Sequence, residues 1–171
     1  YDNGIKLFNG EGKKMEPQVE QLIEEYFESD EELPFATDDK IGQVLDFKDG
    51  LQLYISWLKE VNPLNLDGMK IALDLANGSA TTTAQECLSQ LGATLEVIHS
   101  EPNGININNK CGSTHPESLQ EIMSQGIYDV GFAFDGDADR LIAVDEEGNL
   151  INGDYILHIC GKKKKKKGLL K

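Results

Sequence analysis

Three aspartates at alternate positions, Asp135, Asp137 and Asp139, stand inside the stretch "GFAFDGDADRLIAVDEEG" and are followed directly by Arg140. Asp and Gly are ordinary turn residues, so a polar turn is the simplest account of such a stretch. Three carboxylates this close repel one another, however, and the repulsion is costly unless a cation or a strongly basic ligand offsets it. Donors that are all oxygen select a hard cation: magnesium, calcium or manganese. A calcium loop of the EF-hand type would start at Asp135 and would place Glu146 at its twelfth position. Its sixth position, which needs glycine for a sharp turn, holds Arg140, and the flanking runs read as strands rather than helices. A magnesium ion held by the three carboxylates, with a position left for a phosphoryl oxygen and Arg140 beside it to grip an anion, accounts for all four residues. Phosphoryl transfer needs that combination, because its catalysis is mainly positioning and charge neutralisation.

Other residues invite weaker readings. Lys110 and His115 flank "CGST" in a stretch that could face a cleft, and both are candidates for substrate contact. Ser113 and Thr114 lack an evident base and orienting partner, so capping of a helix that starts near Pro116 suits them better than nucleophilic attack. His99 ends an apolar run and reads as structural. "DLANGSAT" has a glycine at a strand-to-helix turn but not the further glycines and lysine of a P-loop, so a tight turn is expected. Cys87, Cys111 and Cys160 match no CxxC pattern and read as free thiols of a reducing compartment.

The elements that must carry these residues follow from periodicity. "YDNGIKLFNGEGKKM" reads as a hairpin, and the chain looks cut from something longer. Pro17 opens a helix over 16–28, with Val19, Leu22, Ile23, Tyr26 and Phe27 at helical spacing. The acidic stretch 29–46, with Pro34 and Gly42, reads as a linker. Beyond it, helix and strand alternate: a helix with Leu51, Tyr54, Ile55 and Leu58 on one face; the strand "MKIALDLA"; the helix "SATTTAQECLSQLG" closed by Gly92; the strand "TLEVIHS"; a helix opened by Pro116 and closed by Gly126; and the strand "YDVGFAF", which delivers the aspartates. "RLIAVDEEGNLI" reads as a hairpin around Glu147-Gly148 and "GDYILHICGKK" as a last helix. The expected fold is α/β, a mainly parallel sheet covered by helices on both faces, with ligands at the carboxyl ends of its strands.

Composition narrows the partners. The 171 residues carry a net charge of -14, and positions 1–161 hold all 30 acids but only nine of the 16 bases. Such a body repels nucleic acid and anionic membrane, and no run approaches the roughly 18 apolar residues of a membrane span. A cytoplasmic protein is expected. Lys162 to Lys167 read as a solvated helix end, where cations also suit the helix dipole.

"FAFDGDADR" resembles the metal loop of the α-D-phosphohexomutases. "YDNGIK" resembles the segment after that family's phosphoserine loop, and "IALDLANGSAT" the first strand and helix of its second domain. "GININNKCGSTHPESL" resembles the corresponding loop of the family's bacterial phosphoglucosamine mutase branch. The resemblance implies a phosphoserine that donates its phosphoryl group to a sugar phosphate and recovers another from the bisphosphate intermediate. It implies Mg2+ on Asp135, Asp137 and Asp139, together with the phosphoserine oxygen, and Arg140 beside the transferring group. As partners it implies a sugar phosphate, the remaining domains of the same enzyme and, for the full-length protein, a second copy in a homodimer.

No segment resembles the family's serine loop, its sugar-recognition loop or its phosphate-clamping loop, so this chain alone is expected to be inactive. The organisation expected is a remnant of a first domain at 1–28, a linker at 29–46, a magnesium-loop domain at 47–161 and a lysine-rich tail at 162–171. Two alternatives stay open: a family member acting on mannose or glucose phosphates, and a non-catalytic acidic module that binds a divalent cation.

Overall fold

The computed structural model describes residues 5–30 and 35–169. The start of "YDNGIK" and Pro34 lie outside the described residues. The chain forms two compact units, Tyr1–Asp46 and Phe47–Lys171.

In the first unit, Phe8 and Lys14 pair antiparallel around a turn in which the Asn9 side chain accepts the N–H groups of Glu11 and Lys13. Helix α1, Pro17–Glu28, starts with proline at its first turn, where the missing N–H would have no partner inside the helix. None of its residues is buried. Ile5, Phe8, Ile23 and Phe27 line an open groove of about 760 Å³ between hairpin and helix.

The second unit is built on a five-stranded sheet in the order β2-β1-β3-β4-β5. Its strands are β1 Lys70–Asp74, β2 Thr94–Ile98, β3 Val130–Phe134, β4 Leu141–Val144 and β5 Leu150–Ile151. β1 runs parallel to β2 and β3, whereas β3-β4 and β4-β5 are antiparallel, so the sheet is mixed: a parallel half joined to the expected hairpin. The helices are α2 Gly50–Val61, α3 Ala84–Gln90, α4 Glu117–Met123 and α5 Gly153–Lys166.

Period-two alternation sends successive residues of β1 and β3 to opposite faces. Ala72 and Ala133, with Val144, pack against Leu119 and Met123 of α4. Ile71 and Leu73 face the other way, onto Leu88 of α3 and the side chains of Leu95, Val130 and Phe132. Helices therefore cover both faces, and burying one such Leu contributes about 1.5–3 kcal/mol. α2 adds Ile55 to the buried set and reaches α3 through Gln52–Glu86 and Lys59–Gln90 hydrogen bonds of 2.7 and 2.9 Å.

One expected helix is divided. Ser79–Thr81 forms a 3-10 turn and α3 starts only at Ala84. The Thr81 hydroxyl donates to the Gly78 carbonyl at 2.7 Å, and three successive threonines favour such local bonds over a regular helix. Lys162–Lys166 complete α5, whose start is capped by Asn152 accepting from the N–H groups of Asp154 and Tyr155.

Candidate metal centre

β3 runs out at Phe134, and the chain turns through Asp135–Arg140 into β4. Asp135 lies under the turn, 1% exposed, while Asp137 and Asp139 stand exposed above it. The turn closes on itself. The Arg140 backbone N–H donates to Asp135 Oδ1 at 2.9 Å, its Nε donates to Oδ2 at 3.0 Å, and the Ala138 N–H donates to the Asp135 carbonyl at 3.1 Å. Ala138 holds a left-handed φ of 60°, which lets three carboxylates face a common point within so few residues. One oxygen from each of Asp135, Asp137 and Asp139 lies within 4.8 Å of the others.

Burial pushes the Asp135 carboxyl up, but the Arg140 backbone N–H, its guanidinium and a hydrogen bond with Asp137 outweigh it, and the group titrates below the ordinary carboxylate range. Asp135 is thus ionised at neutral pH although buried. Each of its oxygens accepts one hydrogen bond from Arg140. The donor set fits a hard cation: oxygen only, with one carboxylate buried and two exposed. Arg140 Nε also lies 3.7 Å from Asp139 Oδ1, while its side chain is 69% exposed, so its terminal nitrogens remain open to an anion.

Two neighbouring loops hold this turn. The one after β1 places Ala76 and Asn77 at φ 51° and 48°, the tight turn expected of "DLANG", and brings Gly78 onto Gly136. The Ser79 N–H donates to the Gly136 carbonyl at 2.9 Å, and a Cβ on Gly78 would lie 2.3 Å from that oxygen. The loop before α4 contributes Gly112, at φ 73°, where a Cβ would lie 2.4 Å from the Phe134 carbonyl. The Asn108 N–H donates to the Ala76 carbonyl at 3.0 Å and ties these two loops together.

The structure gathers Asp135, Asp137, Asp139 and Arg140 into one turn. Lys110 and His115 flank Gly112 with exposed side chains; His115 Nδ1 lies 3.8 Å from Glu117. Capping by Ser113 or Thr114 is not found, because Gly112–Thr114 is a 3-10 turn and α4 begins after Pro116 without a side-chain cap. The three cysteines are free thiols, as expected. Sequence reasoning missed Asp74, fully buried at the end of β1, whose only signal is a charge closing an apolar run.

A mixed sheet whose third strand ends in a self-clasped turn of three carboxylates defines the class, an α/β domain with a candidate oxygen-lined cation site at a strand terminus. The family described as phosphoglucomutase/phosphomannomutase, alpha/beta/alpha domain II, matches residues 52–148, and the chain belongs to that family. It is 50% identical, over 99% of its length, to a phosphoglucosamine mutase of Lachnoclostridium phytofermentans, and 47% identical over 99% to one of Streptococcus pneumoniae serotype 2. In each case it spans 38% of the relative's own length. A crystal structure of a phosphoglucomutase/phosphomannomutase family protein from Burkholderia thailandensis matches with a TM-score of 0.57 and 28% identity, covering 69% of this chain and 26% of that one. Among the described residues no helix is long and apolar enough to cross a membrane.

Proposed function

We propose that this chain supplies the cation-binding domain of a phosphoglucosamine mutase, an enzyme that interconverts glucosamine 6-phosphate and glucosamine 1-phosphate through a phosphoserine and a bisphosphate intermediate. The observation that carries this reading is the turn of Asp135, Asp137 and Asp139 clasped by Arg140. Its support in sequence is the identity of about half with proteins bearing that name. Asp135, Asp137 and Asp139 are the residues that would hold Mg2+. When bound, the ion supplies charge neutralisation at a phosphoryl oxygen.

The chain's own residues have separate tasks. Arg140 fixes Asp135 with its main-chain N–H and Nε and offers its terminal nitrogens to the phosphoryl group. Asp137 and Asp139 set the charge of the site. The loops carrying Gly78 and Gly112 keep the turn from shifting, which matters because misplacement of the order of 1 Å can cost about 100-fold in rate. Lys110 and His115 are proposed to contact the sugar phosphate. The phosphoserine is proposed to come from another part of the full-length protein. Residues 47–161 are read as the magnesium-loop domain, 1–28 as the end of the preceding domain, 29–46 as the linker between them and 162–171 as a lysine-rich tail. Remaining domains of the same enzyme would cover the exposed apolar side chains of α1 and α5, such as Phe27 and Leu157.

Assaying the full-length enzyme with glucosamine, mannose and glucose phosphates tests the assignment. Highest kcat/KM on the glucosamine phosphates is expected, with no turnover by the 171-residue chain alone. Preference for a mannose or glucose phosphate would transfer the chain to another branch of the family, and turnover by the isolated chain would place the phosphoryl carrier within these residues.

A further inference from the structure

Two carboxylates are buried among the described residues, Asp135 and Asp74. The proposed phosphoryl transfer uses the first and gives the second no task. Asp74 closes β1, fully buried, with Oδ1 accepting the Ala76 N–H at 3.0 Å and Oδ2 accepting the Gly112 N–H at 2.9 Å. Two further donor atoms converge on it. His99 Nδ1 lies 3.0 Å from Asp74 Oδ2, and the Cys111 thiol is fully buried beside it. One ligand atom from each of Asp74, His99 and Cys111 falls within 4.8 Å of the other two.

The histidine is not spent on the carboxylate. Its Nδ1 is buried yet makes no hydrogen bond, since at 3.0 Å from Asp74 the approach lacks the required alignment. The ring is brought there at a cost: His99 has φ 50°, a region that non-glycine residues rarely occupy, and the Asn77 N–H pins its carbonyl at 2.7 Å. A buried nitrogen without a hydrogen bond, held by strained backbone beside a carboxylate and a thiol, can take an additional ligand.

We propose that Asp74, His99 and Cys111 form a second metal site, separate in chemistry from the aspartate turn and selective for a thiophilic divalent cation of the zinc class. Sulfur, imidazole nitrogen and carboxylate oxygen are zinc donors, and three protein ligands leave a fourth position for water. Zinc bond lengths put tetrahedral donors about 3.3–3.6 Å apart, so side-chain adjustments of the order of 1 Å complete the shell. Binding forms a metal–sulfur bond and releases the thiol proton to solvent. The open cleft of about 620 Å³ lined by Asn77, His99, Glu101 and Asn106 offers an entry path. The three ligands come from the end of β1, the end of β2 and the loop before α4. A bound ion would therefore lock together the loops that hold the aspartate turn.

Cobalt is the probe, because a thiolate ligand gives Co2+ a ligand-to-metal charge-transfer band that oxygen ligands do not. The complete chain is titrated with Co2+ in excess Mg2+, which occupies the aspartate turn, under reducing conditions. Expected is one equivalent with a charge-transfer band and tetrahedral visible bands, displaced by one equivalent of Zn2+. Cys111→Ser should abolish the band. Cys87→Ser and Cys160→Ser should leave it unchanged. His99→Gln, on a side chain only 30% exposed but not fully buried and so the milder change, should weaken Co2+ binding by at least about tenfold. Should Cys111→Ser fail to fold, as judged by circular dichroism, the His99→Gln titration decides. A wild-type chain without the band, a band that survives Cys111→Ser, or His99→Gln with undiminished affinity overturns the proposal.

Discussion

Asp135 is buried, and its company decides its charge. Desolvation alone would raise its pKa, yet the Arg140 main-chain N–H and guanidinium bring it below the ordinary carboxylate range. A folded-state pKa depressed in this way contributes stability that is present above the unfolded value and is lost as pH falls through the folded one. Asp135→Asn keeps the shape and removes the charge, so it should destabilise the second unit by about 2 kcal/mol near pH 7. Urea denaturation of both proteins at pH 7 and then at successively more acid values should show that gap closing below the ordinary carboxylate range. A gap that stays constant into acid would mean that the Arg140 clasp does not depend on ionised Asp135. The spacing of Asp135, Asp137 and Asp139 made this turn legible in the sequence, because all the interacting groups lie within six residues. Asp74, His99 and Cys111 are spread over 38 positions and meet only through a left-handed backbone at His99, which no local pattern announces.

At the scale of elements, the strands carry the charges and the loops aim them. An almost continuous apolar run revealed β1, which is buried on two faces, and β3 followed it, whereas the edge strand β2 showed in the alternation of Leu95 and Val97 with Thr94 and Glu96. The helix boundaries were harder to read. Thr81 bonds back to Gly78, and Ser113 with Thr114 folds into a 3-10 turn, so each expected helix start yields to local side-chain and loop geometry. Neither divergence is incidental to the site, because Gly78 and Gly112 are the points where loops press on the aspartate turn. Gly112→Ala tests that contact: its φ of 73° disfavours a side chain, and the added carbon would meet the Phe134 carbonyl and the Ala76 side chain. A loss of about 2–4 kcal/mol in thermal or urea unfolding is expected, together with weaker Mg2+ binding at the neighbouring turn. Unchanged stability would show that the loop is free to yield at this point.

For the whole molecule, the chain forms two compact units and spans 38% of the length of the relatives it matches. Its second unit carries the aspartate turn, while many apolar side chains on α1, α2 and α5 remain exposed, including Phe27, Trp57 and Leu157. An apolar surface of that kind suits a domain that works against others of the same enzyme. Under the proposed function the aspartate turn would act on charge that develops during transfer, so its loss should fall on the rate more than on binding. Asp137→Asn removes one negative charge from the middle of the set at nearly constant shape. The most direct test is the steady-state kinetics of the full-length enzyme, wild type against Asp137→Asn, with glucosamine 6-phosphate and saturating Mg2+. The predicted result is a kcat lower by about 100-fold or more, with KM altered no more than about threefold. An undiminished kcat in the substituted enzyme would contradict the role given to the three aspartates and leave them an acidic turn.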